Sequence, residues 1–312
     1  MRVMIPYDGS ECADAAIADL AYAGLPARAQ AEVVTVAEAW LPPPPISSYD
    51  LVGSGIVAES VPTHEHARKW QTESAEVARS LAHEAAARVK SVFPDWQVVA
   101  HGCFGSPSTE VLSRAENWKP DLIVVGSHGR SLIGRLVLGS VSNRILSEAH
   151  CSVRVARGKP DRGQTPIRTL VCIDGSAGSN AAVAAVTAGR QWPAGTEAEV
   201  LIVCDPVTPT AVGSLLPPVT QWTAAFNDEQ KAEAEKTLQP AVAQLRSANL
   251  TAHGVVRAGD PRWVILKEAE DWNVDAIFVG ARGLSRIERF LLGSVSSAVA
   301  SRAHCSVEVV RA

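Results

Sequence analysis

The sequence predicts an α/β chain of two doubly wound, open parallel sheets in tandem, and three observations carry that prediction. Apolar runs of strand length alternate with segments of helical spacing. The alternation is written twice. A glycine-rich loop follows the fourth strand-like run of each copy: "GSHGRSLIGRLVLGSVSNRIL" from Gly126 to Leu146, and "GARGLSRIERFLLGSVSSAVA" from Gly280 to Ala300.

The repeat sets the domain organisation. A shift of 154 residues lays Gly126 on Gly280, Gly129 on Gly283, Gly139 on Gly293 and Ser140 on Ser294. It also lays "AHCSV" at 149–153 on 303–307, and Gly105 of "GSP" on Gly259 of "GDP". The "HG" at His101 falls on the "HG" at His253 with a small slip. Near the start of each copy the shift is 166, which aligns Asp8-Gly9-Ser10 with Asp174-Gly175-Ser176. The surplus of the first copy lies around "LPPPPISSYDLVGSGIVAES", rich in loop formers. Polar "RGKPDRGQTP" joins the copies, which gives domains 1–157 and 166–312. A chain of 312 residues suits two domains of roughly 150 each.

Taken in order, "VMIPY" is strand-like, and "SECADAAIADLAYAGL" has helical spacing with Ser10 as N-cap. "AEVVTVAEA" is a strand, and residues 64–92 form a long amphipathic helix. Then come strand "WQVVAHG", a helix from about Pro107, strand "DLIVVG", the glycine loop, a helix from about Ser140 and strand "SVRVA". The second copy repeats the series with "RTLVCI", "AEVLIVCD", "TAHGVVR", "DAIFVG" and "SVEVV". Apolar strands separated by helices imply parallel sheets covered on both faces, with right-handed crossovers.

Composition narrows the function classes. A net charge of −4 argues against a broad basic surface for nucleic acid. No apolar run is long enough to span a membrane, and "MRVMIPYDGS" has no signal-peptide core. Six cysteines without a CxxC pair read as reduced thiols, so a cytoplasmic location is expected. His64 and His66 in "THEH" have no third ligand at a metal-site spacing. The His-Cys step in both "AHCSV" segments could activate a thiol, but core packing explains it more simply. The scattered tryptophans form no stacking stripe.

The glycine loop is the informative feature. In open α/β sheets, ligands bind beyond the carboxyl ends of the strands, where the strand order reverses. A helix N-terminus there offers unpaired N–H groups and partial positive charge. Glycine lets backbone approach an anion, and Ser140 and Ser142 add hydroxyls. Gly139 is expected at a φ that only glycine adopts cheaply. The loop is neither a Walker A motif nor GxGxxG.

The spacing G-x2-G-x9-G-[ST], present in both copies, resembles the ATP-binding signature of the universal stress protein family, and the resemblance covers nearly the whole chain. It implies five-stranded sheets of order 3-2-1-4-5. It implies an Asp after the first strand near the adenosine, here Asp8 and Asp174, and a Val of the second strand at the adenine, here Val36 and Val203. Phosphate contacts would fall on Gly126, Gly129, Gly139, Ser140, Val141 and Ser142, and in the second copy on Gly280, Gly283, Gly293, Ser294, Val295 and Ser296. Cations beside the glycines differ: His128 is matched by Arg282, and Arg130 by Leu284. The implied ligand is ATP, with or without Mg2+. The implied role is a nucleotide-dependent regulatory or stress-survival factor rather than an enzyme, since no general base declares itself. A slow ATPase or ATP-dependent transferase, and a scaffold with empty sites, are the alternatives. Family members commonly dimerise through the last strand. "SVRVA" and "SVEVV" are therefore expected to pair antiparallel across a pseudo-two-fold axis, and two chains could associate further as a homodimer.

Overall fold

A computed structural model describes residues 1–38, 64–128, 138–158, 166–209, 217–282 and 292–311, with backbone alone for 64–68. The long insertion of the first copy and most of the inter-copy segment lie outside the described residues. The first half runs β1 (Arg2–Pro6), α1 (Glu11–Asp19), β2 (Gln30–Glu38), α2 (His64–Val92), β3 (Gln97–Gly105), α3 (Pro107–Trp118), β4 (Leu122–Gly126), α4 (Ser140–Glu148) and β5 (Ser152–Ala156). The second runs β6 (Arg168–Cys172), α5 (Ala177–Thr187), β7 (Glu197–Cys204), α6 (Pro217–Ser247), β8 (Thr251–Ala258), α7 (Pro261–Asp271), β9 (Ala276–Gly280), α8 (Ser294–Arg302) and β10 (Ser306–Val310).

Local chemistry accounts for the helix starts. The Ser10 hydroxyl accepts from the Ala13 N–H at 3.2 Å, and Ser176 accepts from Ser179 in the same way. Asp260 caps α7 ahead of Pro261, whose missing N–H costs nothing in a first turn. The helix expected to reach Leu25 ends instead at Asp19, followed by a 3₁₀ turn over Leu20–Tyr22. The chain then bends at Gly24, which has φ +62°. A side chain there would collide with the Trp192 ring of the second half, 2.5 Å from the position of a Cβ. The helix thus stops short of the bend at Gly24, where the second half packs closely.

The two expected five-stranded sheets are one ten-stranded sheet, of order β3-β2-β1-β4-β5-β10-β9-β6-β7-β8. Each half keeps the order 3-2-1-4-5 with parallel neighbours. The halves join where β5 and β10 pair antiparallel, with Val155 opposite Val307, Arg154 opposite Glu308 and Val153 opposite Val309. Each last strand would otherwise expose a row of unpaired backbone groups, and the seam satisfies both rows.

On one face of the sheet the core is continuous across the seam. Val153 and Val155 of β5 and Val307 and Val309 of β10 pack there with Ile145 and Leu146 of α4 and Val299 and Ala300 of α8. On the other face the core is split into one cluster under α1 and α2 and another under α5 and α6. Between these clusters lies a chain of buried charge. Arg154 is 0% exposed and Glu308 is 1% exposed. Arg154 Nε donates to Asp19 Oδ2 at 2.6 Å, and its Nη1 lies 3.5 Å from Glu308 Oε2. Arg190 completes the chain by pairing with the other Glu308 oxygen and donating to the Ala23 carbonyl. Ser306 Oγ donates across the seam to Asp19 Oδ1 at 2.7 Å. Burial alone would push the Arg154 guanidinium down, but the Asp19 and Glu308 carboxylates hold it above its ordinary value.

The "HG" correspondence does not survive the register. His101 lies opposite Val34, whereas His253 lies opposite Glu199, so the two are not equivalent positions. His253 Nε2 sits 3.0 Å from a Glu199 oxygen. The first half pairs its equivalent buried carboxylate, Glu32, with Arg114 instead.

Two consequences can be measured. Glu308→Gln leaves Arg154 and Arg190 buried beside a neutral amide. It should cost about 3–5 kcal/mol in urea unfolding, the range for breaking one side of a buried pair; a loss near zero would contradict the network. Burial, and then the neighbouring Glu268 carboxylate, push the Glu199 carboxyl above its ordinary value, with His253 and Arg257 offsetting part of the effect. A raised folded-state value means stability that is fully present below the unfolded pKa and lost as pH rises through the folded one. Glu199→Gln should therefore flatten the fall in thermal stability that the wild type shows as pH rises above the ordinary carboxylate range of about 4.3.

Candidate functional site

In each half the turn after the first strand and the described ends of the segment after the fourth strand lie at the switch point between β1 and β4, or between β6 and β9. Asp8-Gly9-Ser10 and Asp174-Gly175-Ser176 make the same tight turn. Gly9 and Gly175 have φ +77° and +80°, a region other residues enter at a cost. Asp8 Oδ1 accepts from the Ser10 N–H at 3.0 Å, and Asp174 Oδ1 from Ser176 at 3.0 Å. Both carboxylates are thereby fixed at the carboxyl end of a central strand.

The fourth strand and its following helix are stapled together. Gly139 N donates to Ser127 O at 2.8 Å, and Ser142 Oγ to Gly126 O at 2.7 Å. In the second half Gly293 N donates to Ala281 O at 2.8 Å, and Ser296 Oγ to Gly280 O at 2.6 Å. The Ser142 and Ser296 hydroxyl protons are thus committed to the scaffold, which leaves the backbone N–H groups as the donors of these two residues at the helix tips. Ser140 and Ser294 are exposed at the helix tips. Gly139 and Gly293 cap α4 and α8 without any side-chain acceptor. The N–H groups of Ser140, Val141 and Ser142, and of Ser294, Val295 and Ser296, therefore lack acceptors within their helices.

The glycines serve reasons partly different from those expected. Gly139 and Gly293 have φ −60° and −65°, which any residue adopts, so the expected special backbone geometry is absent. At Gly293 the constraint is space: a Cβ would lie 3.2 Å from the Ala281 carbonyl. Gly126 and Gly280 let the strand end touch the first helix of its half. A Cβ at Gly126 would meet Cys12 O at 2.7 Å, and one at Gly280 would meet the Gly178 carbonyl at 2.6 Å.

In the second half these parts enclose a cavity of about 230 Å³. Asp174, Gly280, Arg282 and Gly293 to Ser296 line its polar side. Val203, Leu201, Val279, Pro261 and Ile265 line its apolar side. Sequence reading missed the α7 wall of Pro261 and Ile265. The repeat match of "GDP" at Gly259–Pro261 pointed to it without assigning a role. Larger grooves run along α6 and β8 (about 500 Å³) and along α3 and β3 (about 350 Å³), but they flank the sheet away from the strand-end switch points. In the first half, Asp8, Gly126, His128 and Gly139 to Ser142 hold the matching places. Val36 matches Val203, because Gln30 and Glu197 open β2 and β7 opposite equivalent residues. Gly129, Arg130 and Gly283 lie outside the described residues.

The halves differ in charge. His128 Nδ1 lies 3.2 Å from Ser127 Oγ. Burial, and then the Arg157 charge, push the imidazole below its ordinary value, so it is neutral at pH 7. The second half has the exposed guanidinium of Arg282 at that position. It also has Gly178 where the first has Cys12, and a Cβ at 178 would stand 2.3 Å from the Arg282 carbonyl. Other signals fall away. All six cysteines are thiols, and burial pushes Cys151 up to about 11, which keeps it protonated. Among the described residues no group of three His, Cys, Asp or Glu is placed to hold a metal, and no helix is long and apolar enough to cross a membrane. The His64 and His66 side chains lie outside the described set.

Gly280→Ala should force the strand end off α5 and cost about 1–3 kcal/mol. Ser296→Ala should cost about 1–3 kcal/mol by leaving the Gly280 carbonyl short of a donor. Urea unfolding of both variants measures this; unchanged midpoints would dismiss the staple.

The comparisons with known proteins agree with this architecture. The sequence profile of the Universal stress protein family matches residues 1–157 and 167–311. A universal stress protein of Methanocaldococcus jannaschii is 37% identical over 95 residues, which cover 30% of this chain and 55% of that protein. One of Mycolicibacterium smegmatis is 31% identical over 193 residues, 61% of each chain. These matches thus span little more than half the length of the relatives. The crystal structure of a universal stress protein from Archaeoglobus fulgidus shares the fold with a TM-score of 0.64 at 20% identity, covering 99% of this chain and 98% of that one. With the profile matching both halves, the chain belongs to the universal stress protein family.

Proposed function

We propose that each half binds an adenine nucleotide, with ATP as the ligand, and that the output is a regulatory state in a stress-survival role. One observation carries the reading: a single cavity of the second half joins an apolar slot, a carboxylate, a guanidinium and an uncapped helix N-terminus. Val203 and Ile265 suit the faces of a planar base. Asp174 suits a ribose hydroxyl, which donates to a carboxylate. Phosphate oxygens suit the N–H groups of Ser294 to Ser296, where the helix dipole favours an anion. Arg282 adds a donor fork for a terminal phosphate. The volume is below the roughly 300–1,000 Å³ of ordinary ligand clefts, which suits a base and ribose held inside with the phosphates at the rim. Mg2+ would arrive on the phosphates, since magnesium is commonly held by substrate phosphates plus one or two carboxylates.

A second reading, slow ATP hydrolysis, draws on one feature: His128 is held neutral, the state a general base requires. One set of measurements separates the readings. Mass spectrometry of molecules released on denaturation should show ATP; ADP formed with turnover would favour hydrolysis. Calorimetry should show two unequal ATP affinities, tighter in the half with Arg282. Gly293→Val should remove that event, and adding Gly139→Val should remove both. Unchanged ATP affinity in the double variant would refute the cradle assignment.

A further inference from the structure

Arg157 and Arg311 directly follow β5 and β10 and are equivalent under the repeat. Neither belongs to a glycine loop, and Arg157 reads in the sequence as the start of the linker. In the structure each reaches across the seam. Arg157 N donates to Ser306 Oγ at 2.9 Å, and its guanidinium donates to the carbonyls of Ala300 at 2.7 Å and Ser301 at 3.2 Å. Arg311 N donates to Ser152 Oγ at 3.2 Å, and its guanidinium donates to the carbonyls of Leu146, Ser147 and Cys151. Apart from Cys151, the carbonyls they grip belong to the last turns of α8 and α4. The first turns of those same helices are the cradles of the opposite halves.

Each clamp is also tied to its own half's loop. Ala156, just before Arg157, lies opposite Gly126, and Val310, just before Arg311, lies opposite Gly280. Val310 O further accepts from the Ala281 N–H at 2.8 Å. Core packing of Ile145, Leu146, Val299 and Ala300 also holds these ends, and the clamps add the cations that face their last carbonyls. α4 has no basic residue in its last turn, and Arg302 of α8 is stacked over the Trp263 ring at 5.1 Å.

We propose that Arg157 and Arg311 are positioning residues for the nucleotide cradle of the opposite half, so that each site is oriented by the half that carries the other. The inference rests on the adenine-nucleotide reading above. The effect is one of aim more than direct attraction. A nine-residue helix is about 13 Å long, and the favourable effect of a charge on the helix dipole falls off within the last turn. Ser142 or Ser296 staples the first turn to its own strand, and the clamp fixes the last turn. Together they set the direction in which the uncapped N–H groups point. A guanidinium can span two carbonyls, which an ammonium cannot do with the same geometry.

Calorimetry with ATP on the full chain tests this in single-site backgrounds. With Gly139→Val only the second cradle remains, and Arg157→Gln should weaken ATP there roughly three- to tenfold. With Gly293→Val only the first cradle remains, and Arg157→Gln should change affinity there by less than about threefold, because Arg157 reaches that site only as a charge near His128. Arg311→Gln should give the mirror pattern. Arg157→Lys, which keeps the charge and so is the safer variant for folding, should give an intermediate loss at the second cradle. A crossed pattern is not expected of general destabilisation. Equal losses at both cradles, or losses confined to the arginine's own half, overturn the proposal. A wild type that binds ATP while every arginine variant keeps its affinity also overturns it and leaves the nucleotide reading standing. A wild type that binds no adenine nucleotide removes that reading, and this inference with it.

Discussion

The antiparallel pairing of β5 with β10 is the constraint on which the rest of the molecule depends. It turns two half-sheets into one ten-stranded sheet and makes one face of the core continuous across the junction. At its centre Arg154 faces Glu308, and these are the same position of the two copies. Pairing like halves in that register would set Arg against Arg or Glu against Glu, each deeply buried. Only the unlike pair satisfies the charges, with Asp19 and Arg190 extending the alternation at either end. The unlike pair thus favours a junction between unlike halves, at the desolvation cost that buried ions carry.

The direction of that seam also places the sites. Strands of the two halves run oppositely across it, so their carboxyl ends point to opposite edges of the sheet. The loops after β1 and β4 therefore meet at one edge, and those after β6 and β9 at the other. What passes between the edges is the helix on each side of the seam. The N-terminus of that helix belongs to one site, and its C-terminus is held from the other half.

Much of the fold was legible because the local signals agreed with the final structure. The alternation of strand and helix, the Ser10 cap and the doubled glycine spacing all act over short range. What was not legible depended on distant partners. "SVRVA" and "SVEVV" read as apolar edge strands, and nothing local reveals that their central charges neutralise each other in the middle of a larger sheet. The end of α1 was misplaced, and the packing of Trp192, far along the chain, against Gly24 carried no local signal. The two "HG" steps looked equivalent because identity was weighed without register. In the candidate site the motif located the helix tip and the turn aspartates. It did not reveal the α7 wall, since Pro261 and Ile265 carry no chemical signature of their own. It also misread the backbone of Gly139, whose φ of −60° is open to any residue.

The central claim is that the strand-end cavity is built for an adenine nucleotide whose phosphates sit on the α8 tip. A crystal structure of the chain grown with saturating ATP tests it most directly. The account predicts the base between Val203 and Ile265 and phosphate oxygens on the N–H groups of Ser294 to Ser296, with a second nucleotide at the Ser140 to Ser142 tip. Nucleotide bound instead in the grooves along β3 or β8, or no nucleotide at either helix tip, would contradict it.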